Sequence, residues 1–190
     1  MQNYVILDIE TTGLSKHYDK ITEIAAVKVS NGIIVNEFQT LINPERKIPS
    51  FITKLTGINN EMVKDKPTID KVLPDLFNFL ENEIIIAHNA TFDHGFIQQN
   101  ANLCGLNFYN EKLCTRKLAN RLLPNLKSKK LNVICEHFNI KNIEAHRAMS
   151  DVKATHQVFS CFLDLLKQMK IENKEEIIKF EKKPKKLIIR

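Results

Sequence analysis

Residues Ile21–Leu41 read ITEIAAVKVSNGIIVNEFQTL, and this stretch does most to define the architecture of the 190-residue chain. Two runs rich in β-branched residues lie on either side of Ser30-Asn31-Gly32, and an Asn-Gly step is typical of a tight turn between antiparallel strands. A third apolar run, Tyr4–Ile9, comes before them. The sequence therefore predicts three strands at its start, of which the last two form a hairpin.

The rest of the chain alternates between buried-strand and helix patterns, after a loop-rich stretch around Leu55–Ile58. Glu83–Ala87 contains three consecutive isoleucines, as expected for a buried strand. Apolar residues at helical spacing predict helices over Thr68–Leu80, Thr91–Cys104, Leu113–Leu123, Leu131–Phe138 and Ala148–Lys170. This order is typical of the α/β class. We expect a mixed sheet, with an antiparallel meander plus parallel strands, flanked by helices.

Positive charge is concentrated at the C-terminal end. Of the formal net charge of +6, residues 167–190 carry nine Lys/Arg and four Glu, a net of +5, which leaves about +1 for residues 1–166. Basic composition is therefore weak evidence that the folded part binds nucleic acid. We predict one domain over residues 1–168 and a basic tail over residues 169–190, and we expect its charge-dense part from Ile171 to be flexible or to become ordered on a partner.

Composition also predicts the cellular compartment. No run approaches the roughly 18 apolar residues of a membrane span, and no signal peptide is visible, so we expect a cytoplasmic protein without membrane association. The four cysteines form no C-x-x-C pair and have no histidine at zinc-ligand spacing. We expect them to be reduced thiols. They are Cys104, Cys114, Cys135 and Cys161.

Asp8-Ile9-Glu10 is the first motif that could carry chemistry, and it closes the first predicted strand. Side chains alternate along a strand, so both carboxylates point to the same face. Neighbouring carboxylates repel one another unless a cation lies between them, and oxygen ligands suit Mg²⁺. The alternative is a solvated strand end. Leu14 lies in the polar turn that follows, and its apolar side chain could either contact the base of a bound nucleotide or pack under the loop.

Two further motifs lie far away in sequence. His88-Asn89-Ala90-Thr91-Phe92-Asp93 follows the isoleucine-rich strand, and ligands usually bind at the carboxyl end of such strands. His146 and Asp151 flank the start of the last long helix. Asp93 and Asp151 have a structural alternative, because an acid in the first turn of a helix interacts favourably with the helix dipole. Asn89 has one too, since it could be only an N-cap. We expect His88 to be structural, whereas His146 near metal-bound carboxylates could accept a proton from water.

Four acids and one histidine on three segments can make a two-metal site that activates water against a phosphodiester. The three segments resemble the exonuclease motifs of the DEDDh family, which includes the proofreading epsilon subunit of bacterial DNA polymerase III. These motifs are Asp8–Leu14, His88–Asp93 and His146–Asp151. Weaker similarity extends the resemblance over residues 1–168, but not over the tail. Cys114 departs from the family, which often has Asp at that position.

The resemblance implies an RNase H-like fold and a 3′→5′ exonuclease that uses two divalent ions, Mg²⁺ or Mn²⁺. It implies that Asp8, Glu10 and Asp151 hold one ion, and that Asp8 and Asp93 act on the second. His146 would be the general base. The residues that would line the pocket for the 3′-terminal nucleotide are Thr11, Leu14, Asn89 and Phe92.

Three functions remain open. The first is proofreading beside a DNA polymerase catalytic subunit, on single-stranded or mismatched 3′ ends, which the likeness to the epsilon group favours. The second is a free-standing exonuclease that trims the 3′ ends of DNA or RNA. The third is an inactive nucleic-acid-binding module, which the presence of all five catalytic residues disfavours. No residue can be assigned to reading the 2′-hydroxyl that distinguishes RNA from DNA.

Overall fold

The computed structural model describes residues 2–142 and 145–183. The elements are β1 (Asn3–Thr11), β2 (Ile21–Ser30), β3 (Ile33–Leu41), α1 (Ser50–Thr56), α2 (Asn60–Val63), α3 (Ile69–Leu80), β4 (Ile85–Ala87), α4 (Thr91–Leu103), β5 (Lys112–Cys114), α5 (Thr115–Leu122), α6 (Leu131–His137), α7 (Ala148–Gln168) and α8 (Lys174–Lys182). The three predicted N-terminal strands and their hairpin are confirmed. Within the described residues, no helix is both long and apolar enough to cross a membrane.

The strands form one sheet in the order β3-β2-β1-β4-β5. β1, β2 and β3 pair antiparallel, whereas β4 pairs parallel with both β1 and β5. This is the mixed sheet expected from a hairpin followed by alternating strands and helices. β1 therefore lies at the centre, where both of its faces are covered.

Side-chain alternation along β1 divides the core between the two faces of the sheet. Tyr4 and Ile6 point towards α5, α6 and α7, and the Tyr4 ring packs edge-on against Phe159 of α7 with centroids 5.2 Å apart. Val5 and Leu7 point to the other face, where α3 and α4 pack. By the same alternation, the acids that close β1 lie on the α7 face.

The structure corrects three secondary-structure predictions. Leu113, expected in a helix, lies in β5, and α5 begins only at Thr115. A three-residue strand is too short to show alternation in the sequence, and it exists here because it pairs with β4. The stretch expected to be loop-rich contains α1 and α2, and Gly57 ends α1 with a φ of 75°.

The third correction concerns the C-terminal segment, because Lys174–Lys182 forms α8 and packs against the domain. Ile177 and Ile178 are buried in the same cluster as α7. The buried carboxylate of Glu181 lies 3.4 Å from the Lys117 ammonium of α5. The expectation of a flexible segment is therefore wrong for α8, while the domain boundary at residue 168 stays a prediction. Residues 184–190, with the rest of the lysine run, lie outside the described residues.

Candidate active site

The end of β1 presents two half-buried carboxylates on the face covered by α7. Asp8 lies opposite Ala25 of β2, and Glu10 lies opposite Glu23. The chain turns directly after them, where the Thr11 hydroxyl donates a 2.5 Å hydrogen bond to the Gly13 carbonyl. This turn ends the strand, so the two acids lie at the carboxyl end of the central strand.

The start of α7 brings Asp151 to the same place. Its carboxylate accepts hydrogen bonds from the His146 backbone N–H at 3.0 Å and from the Asn142 amide at 2.6 Å. Burial raises the pKa of Asp151, and these two hydrogen bonds lower it in part. One ligand atom each from Glu10, His146 and Asp151 lie within 4.8 Å of one another. The His146 side chain is exposed, and its backbone has a φ of 66°.

The first turn of α4 supplies the fourth carboxylate. Asp93 is only 2% exposed, and burial raises its pKa to about 7, although hydrogen bonds from its own backbone and that of Ile9 lower it in part. Its Oδ2 is buried and has no hydrogen-bond partner among the described residues. A helix-dipole role needs no such burial, because an acid in an exposed first turn would serve it equally well.

Neighbouring carboxylates raise the pKa values of Asp8 and Glu10. Burial raises the pKa of Asp8 well above its ordinary range, and nearby carboxylates raise it further. In order of effect, these neighbours are Asp93, Glu10, Asp151 and Glu23. Burial, followed by the charge of Asp151, raises the pKa of Glu10 to about 8. Ionising the whole cluster therefore costs free energy unless a cation enters it.

Glu23 and Arg147 form an ion pair that the sequence reasoning missed. Glu23 is fully buried and accepts hydrogen bonds from Nε and Nη2 of Arg147 at 3.3 and 3.1 Å. It also accepts from the Ala148 backbone N–H at 3.2 Å and the Gln39 amide at 2.9 Å. Glu23 thus fixes the start of α7, which carries Asp151, against β2. A lone acid within an apolar strand was the signal that could have found it.

A cavity of about 450 Å³ opens on the carboxylates. Asp8, Asp151 and His146 line it together with Asn89, one of the four residues predicted to contact the terminal nucleotide. The other three are not among its described lining residues. Thr11 is buried, Leu14 is 87% exposed, and the Phe92 ring packs on Phe96 with centroids 4.9 Å apart. Lining residues that the sequence analysis did not single out include Arg116, Lys130, Asn132 and Asn142.

His88 lies in the wall of the same cavity and connects three segments. Its Nε2 is 2.9 Å from the Lys129 carbonyl, and its Nδ1 is 2.9 Å from the Thr115 hydroxyl. Burial lowers the pKa of His88 to about 4, so the ring is neutral. Since a carbonyl only accepts, Nε2 carries the proton and Nδ1 accepts from Thr115. This bonding fits the structural role expected for His88.

Known proteins resemble this chain in sequence and in fold. A DNA polymerase III PolC-type protein of Caldanaerobacter subterraneus subsp. tengcongensis is 45% identical over 174 residues. The match covers 92% of this chain but only 12% of that protein. Exonuclease X, solved in complex with 5′ overhanging duplex DNA, is 28% identical with a TM-score of 0.71, over 94% of this chain and 99% of the other.

The fold similarity extends to more distant exonucleases. E. coli Exonuclease I, solved with a dT13 oligonucleotide, is 16% identical with a TM-score of 0.80, over 94% of this chain and 46% of the other. These neighbours confirm the RNase H-like fold. The sequence model of the RNase_T family, described as exonuclease, matches residues 5–159. With that match and the 45% identical relative, the chain belongs to the RNase_T exonuclease family.

Proposed function

We propose that this chain is a metal-dependent exonuclease domain that hydrolyses DNA from its 3′ end, one phosphodiester bond at a time. The observation that supports this most is the convergence of four carboxylates from three separate segments. They are Asp8, Glu10, Asp93 and Asp151, and burial raises the pKa of each. A folded protein tolerates such mutual repulsion when the site is used to bind a cation.

The residues fit divalent cations. Carboxylate oxygens are the ligands that Mg²⁺ and Mn²⁺ prefer. Oδ2 of Asp93 is buried without a partner in the described part of the chain, and a bound cation would satisfy it. In this proposal Asp8, Glu10 and Asp151 would hold one ion, and Asp8 and Asp93 would hold the second.

When bound, such ions lower the pKa of a coordinated water and stabilise negative charge on the departing oxygen. The side chains of this chain supply the remaining steps. The imidazole of His146, exposed beside Glu10 and Asp151, accepts the proton of the attacking water. The water oxygen bonds to phosphorus while the bond from phosphorus to the 3′ oxygen of the preceding nucleotide breaks. That oxygen takes a proton from solvent, and a nucleoside 5′-monophosphate leaves.

The loop after β1 would select a 3′ end. Leu14 is exposed on this loop, and the backbone N–H of Ser15 donates to the Asp19 carboxylate at 2.9 Å. Glycine suits position 13, because a Cβ there would lie 2.5 Å from Oδ2 of Asp19 and would force that side chain to move. The apolar Leu14 side chain, with Thr11, Asn89 and Phe92, would contact the terminal nucleotide. Since unpairing costs least at a mismatch, mismatched ends should be cut faster than paired ends.

Proofreading is the biological role that we propose. The PolC-type relative carries the name of a DNA polymerase III, and it is 45% identical over 174 residues of this chain. Because the chain spans only 12% of that protein, a polymerase partner remains part of the proposal. Free-standing trimming of 3′ ends is the second candidate, supported by Exonuclease X, which this chain matches over 99% of its length.

Activity on a 5′-labelled single strand tests the proposal. The wild type should give a ladder of shortening products with Mg²⁺ or Mn²⁺, and none in excess chelator. Asp8→Ala and Asp151→Asn should remove nearly all turnover, because each deletes a proposed ligand. Asp164→Asn is the matched control, an exposed acid on the same helix as Asp151. Full activity of Asp151→Asn, or cleavage of a circular single strand, would contradict the proposal.

Capture from cells separates the two biological roles. The tagged chain should retain a DNA polymerase through washes in nuclease-treated lysate if it proofreads. A monodisperse, active protein that retains none would favour free-standing trimming.

A further inference from the structure

We propose that Arg116 and Lys130 form a phosphate-binding subsite that holds a backbone phosphate of the substrate strand beside the carboxylate cluster. The inference rests on the proposed function, since it requires a nucleic-acid strand in the cavity. Phosphate is common to DNA and RNA, so the subsite serves either one.

Both cations line the cavity that contains Asp8 and Asp151, and both are exposed. Among residues 2–142 and 145–183, neither takes part in a salt bridge. Lys117, the residue after Arg116, shows the contrast, because it pairs with the buried Glu181. The charges of Arg116 and Lys130 are therefore available to a ligand.

One half-buried histidine contacts the residues that precede both cations in sequence. His88 bonds Thr115 through Nδ1 and Lys129 through Nε2, and these are the residues immediately before Arg116 and Lys130. His88 itself directly follows β4, which pairs with β1. Hydrogen bonds to the Thr115 hydroxyl and the Lys129 carbonyl thus connect the residues before both cations to the strand beside the one that carries the acids. Such bonding distinguishes a built site from two surface charges that lie close by chance.

The cavity contains acids that would bind cations and basic residues that would bind an anion. Asp8 and Asp151 are the only acids among its described lining residues, and they are assigned to metal ions. A strand that enters also brings phosphates that those ions do not neutralise. A guanidinium binds two phosphate oxygens at once, and an ammonium acts as a point charge. Arg116 and Lys130 thus supply the complementary charge for a phosphate that the metal ions leave unpaired.

Binding in the absence of cleavage tests this proposal. Affinity for a 5′-fluorescein oligothymidylate is measured by anisotropy in EDTA over a salt series. Each phosphate contact contributes about 0.7 to the slope of log K against log salt for a single strand. Because the two cations share one phosphate, Arg116→Ala and Lys130→Ala should each lower the slope by part of this amount, and the double variant by about 0.7. Lys127→Ala is the control, an exposed lysine of the same loop that is not among the lining residues, and its slope should be unchanged.

His88 is a positioning residue, and its test uses the same slope. His88→Ala, confirmed as folded by circular dichroism, should lower the slope towards that of the double variant. Adding His88→Ala to the double variant should then have little further effect. A lower melting temperature with an unchanged slope would assign His88 to stability alone and overturn its positioning role.

Single neutral methylphosphonate linkages near the 3′ end identify the phosphate. At one linkage the wild type should lose affinity, whereas the Arg116→Ala/Lys130→Ala variant should not. If no linkage separates the two proteins, or if the variant slopes equal that of the wild type while the wild type still degrades the strand, the subsite is refuted and the proposed function stands. A wild type that neither binds nor degrades the strand refutes the proposed function itself.

Discussion

Replacing Asp93 with asparagine should stabilise the metal-free protein at neutral and alkaline pH. Asp93 is buried, and burial raises its pKa to about 7 from an ordinary value of 3.8. Between these two values the folded protein binds a proton that the unfolded chain does not. The stability cost of Asp93 is therefore absent below about pH 4, grows as the pH rises, and is complete above about pH 7.

Two opposing effects determine the size of the change. The pKa of Asp93 is about 7 in the folded protein and 3.8 ordinarily. At pH 8 this difference means that charged Asp93 lowers the free energy of unfolding by about 4 kcal/mol. Asparagine avoids this cost but places an amide where Oδ2 has no partner in the described residues, a loss of about 1–3 kcal/mol. The variant should therefore gain about 1–3 kcal/mol at pH 8. At pH 5 the cost of charge is only about 2 kcal/mol, so the gain should fall to about zero.

Urea unfolding in EDTA at pH values from 5 to 8 measures this difference. Asp164→Asn controls for the loss of one surface carboxylate. A free Mg²⁺ concentration of one hundred times its dissociation constant should stabilise the wild type by about 2.7 kcal/mol. The same concentration should stabilise the Asp93 variant by less. A variant that is less stable than the wild type at pH 8, or a difference that does not change with pH, would refute the reasoning.

Three other changes probe the rest of the molecule. His146→Ala should lower the rate on the order of 10²–10⁴-fold and flatten its rise with pH, and a pH profile identical to that of the wild type would exclude a general base. Glu23→Gln should cost about 1–3 kcal/mol in urea unfolding, because an amide cannot accept all four hydrogen bonds that the buried carboxylate accepts, and a variant as stable as the wild type would contradict this. Ile177→Ala should cost about 2–4 kcal/mol if α8 belongs to the core, with the exposed Lys179→Ala of the same helix as its control.

Local patterns explain which parts of the fold could be predicted. The Asn-Gly turn and the β-branched runs define the β2–β3 hairpin, since both signals lie within a few residues of the structure that they specify. Alternation along β1 likewise predicted that Asp8 and Glu10 share a face. Sequence alone could not show that Asp151 would meet them, because this contact depends on how α7 packs across the sheet.

Contacts distant in sequence explain what was missed. The Glu23–Arg147 pair joins residues 124 positions apart, and only the fold brings them together. The segment KEEIIKFEK of α8 is mostly charged, so composition indicated a flexible segment. Yet Ile177 and Ile178 find an apolar surface on the domain and become buried. A charge-rich segment can thus join a core through a few apolar side chains when the domain offers a matching surface.

The number of negative charges at the end of β1 explains both why the metal-free site costs free energy and why two divalent ions would suit it. Five carboxylates meet there, from Asp8, Glu10, Glu23, Asp93 and Asp151. Arg147 already neutralises Glu23, which leaves four negative charges and matches two divalent cations. Without metal, the raised pKa values of Asp8, Glu10 and Asp93 favour protonation of part of this cluster near neutral pH. Metal binding near neutral pH must then displace protons, so the affinity for metal depends on pH through the same carboxylates that would carry out catalysis.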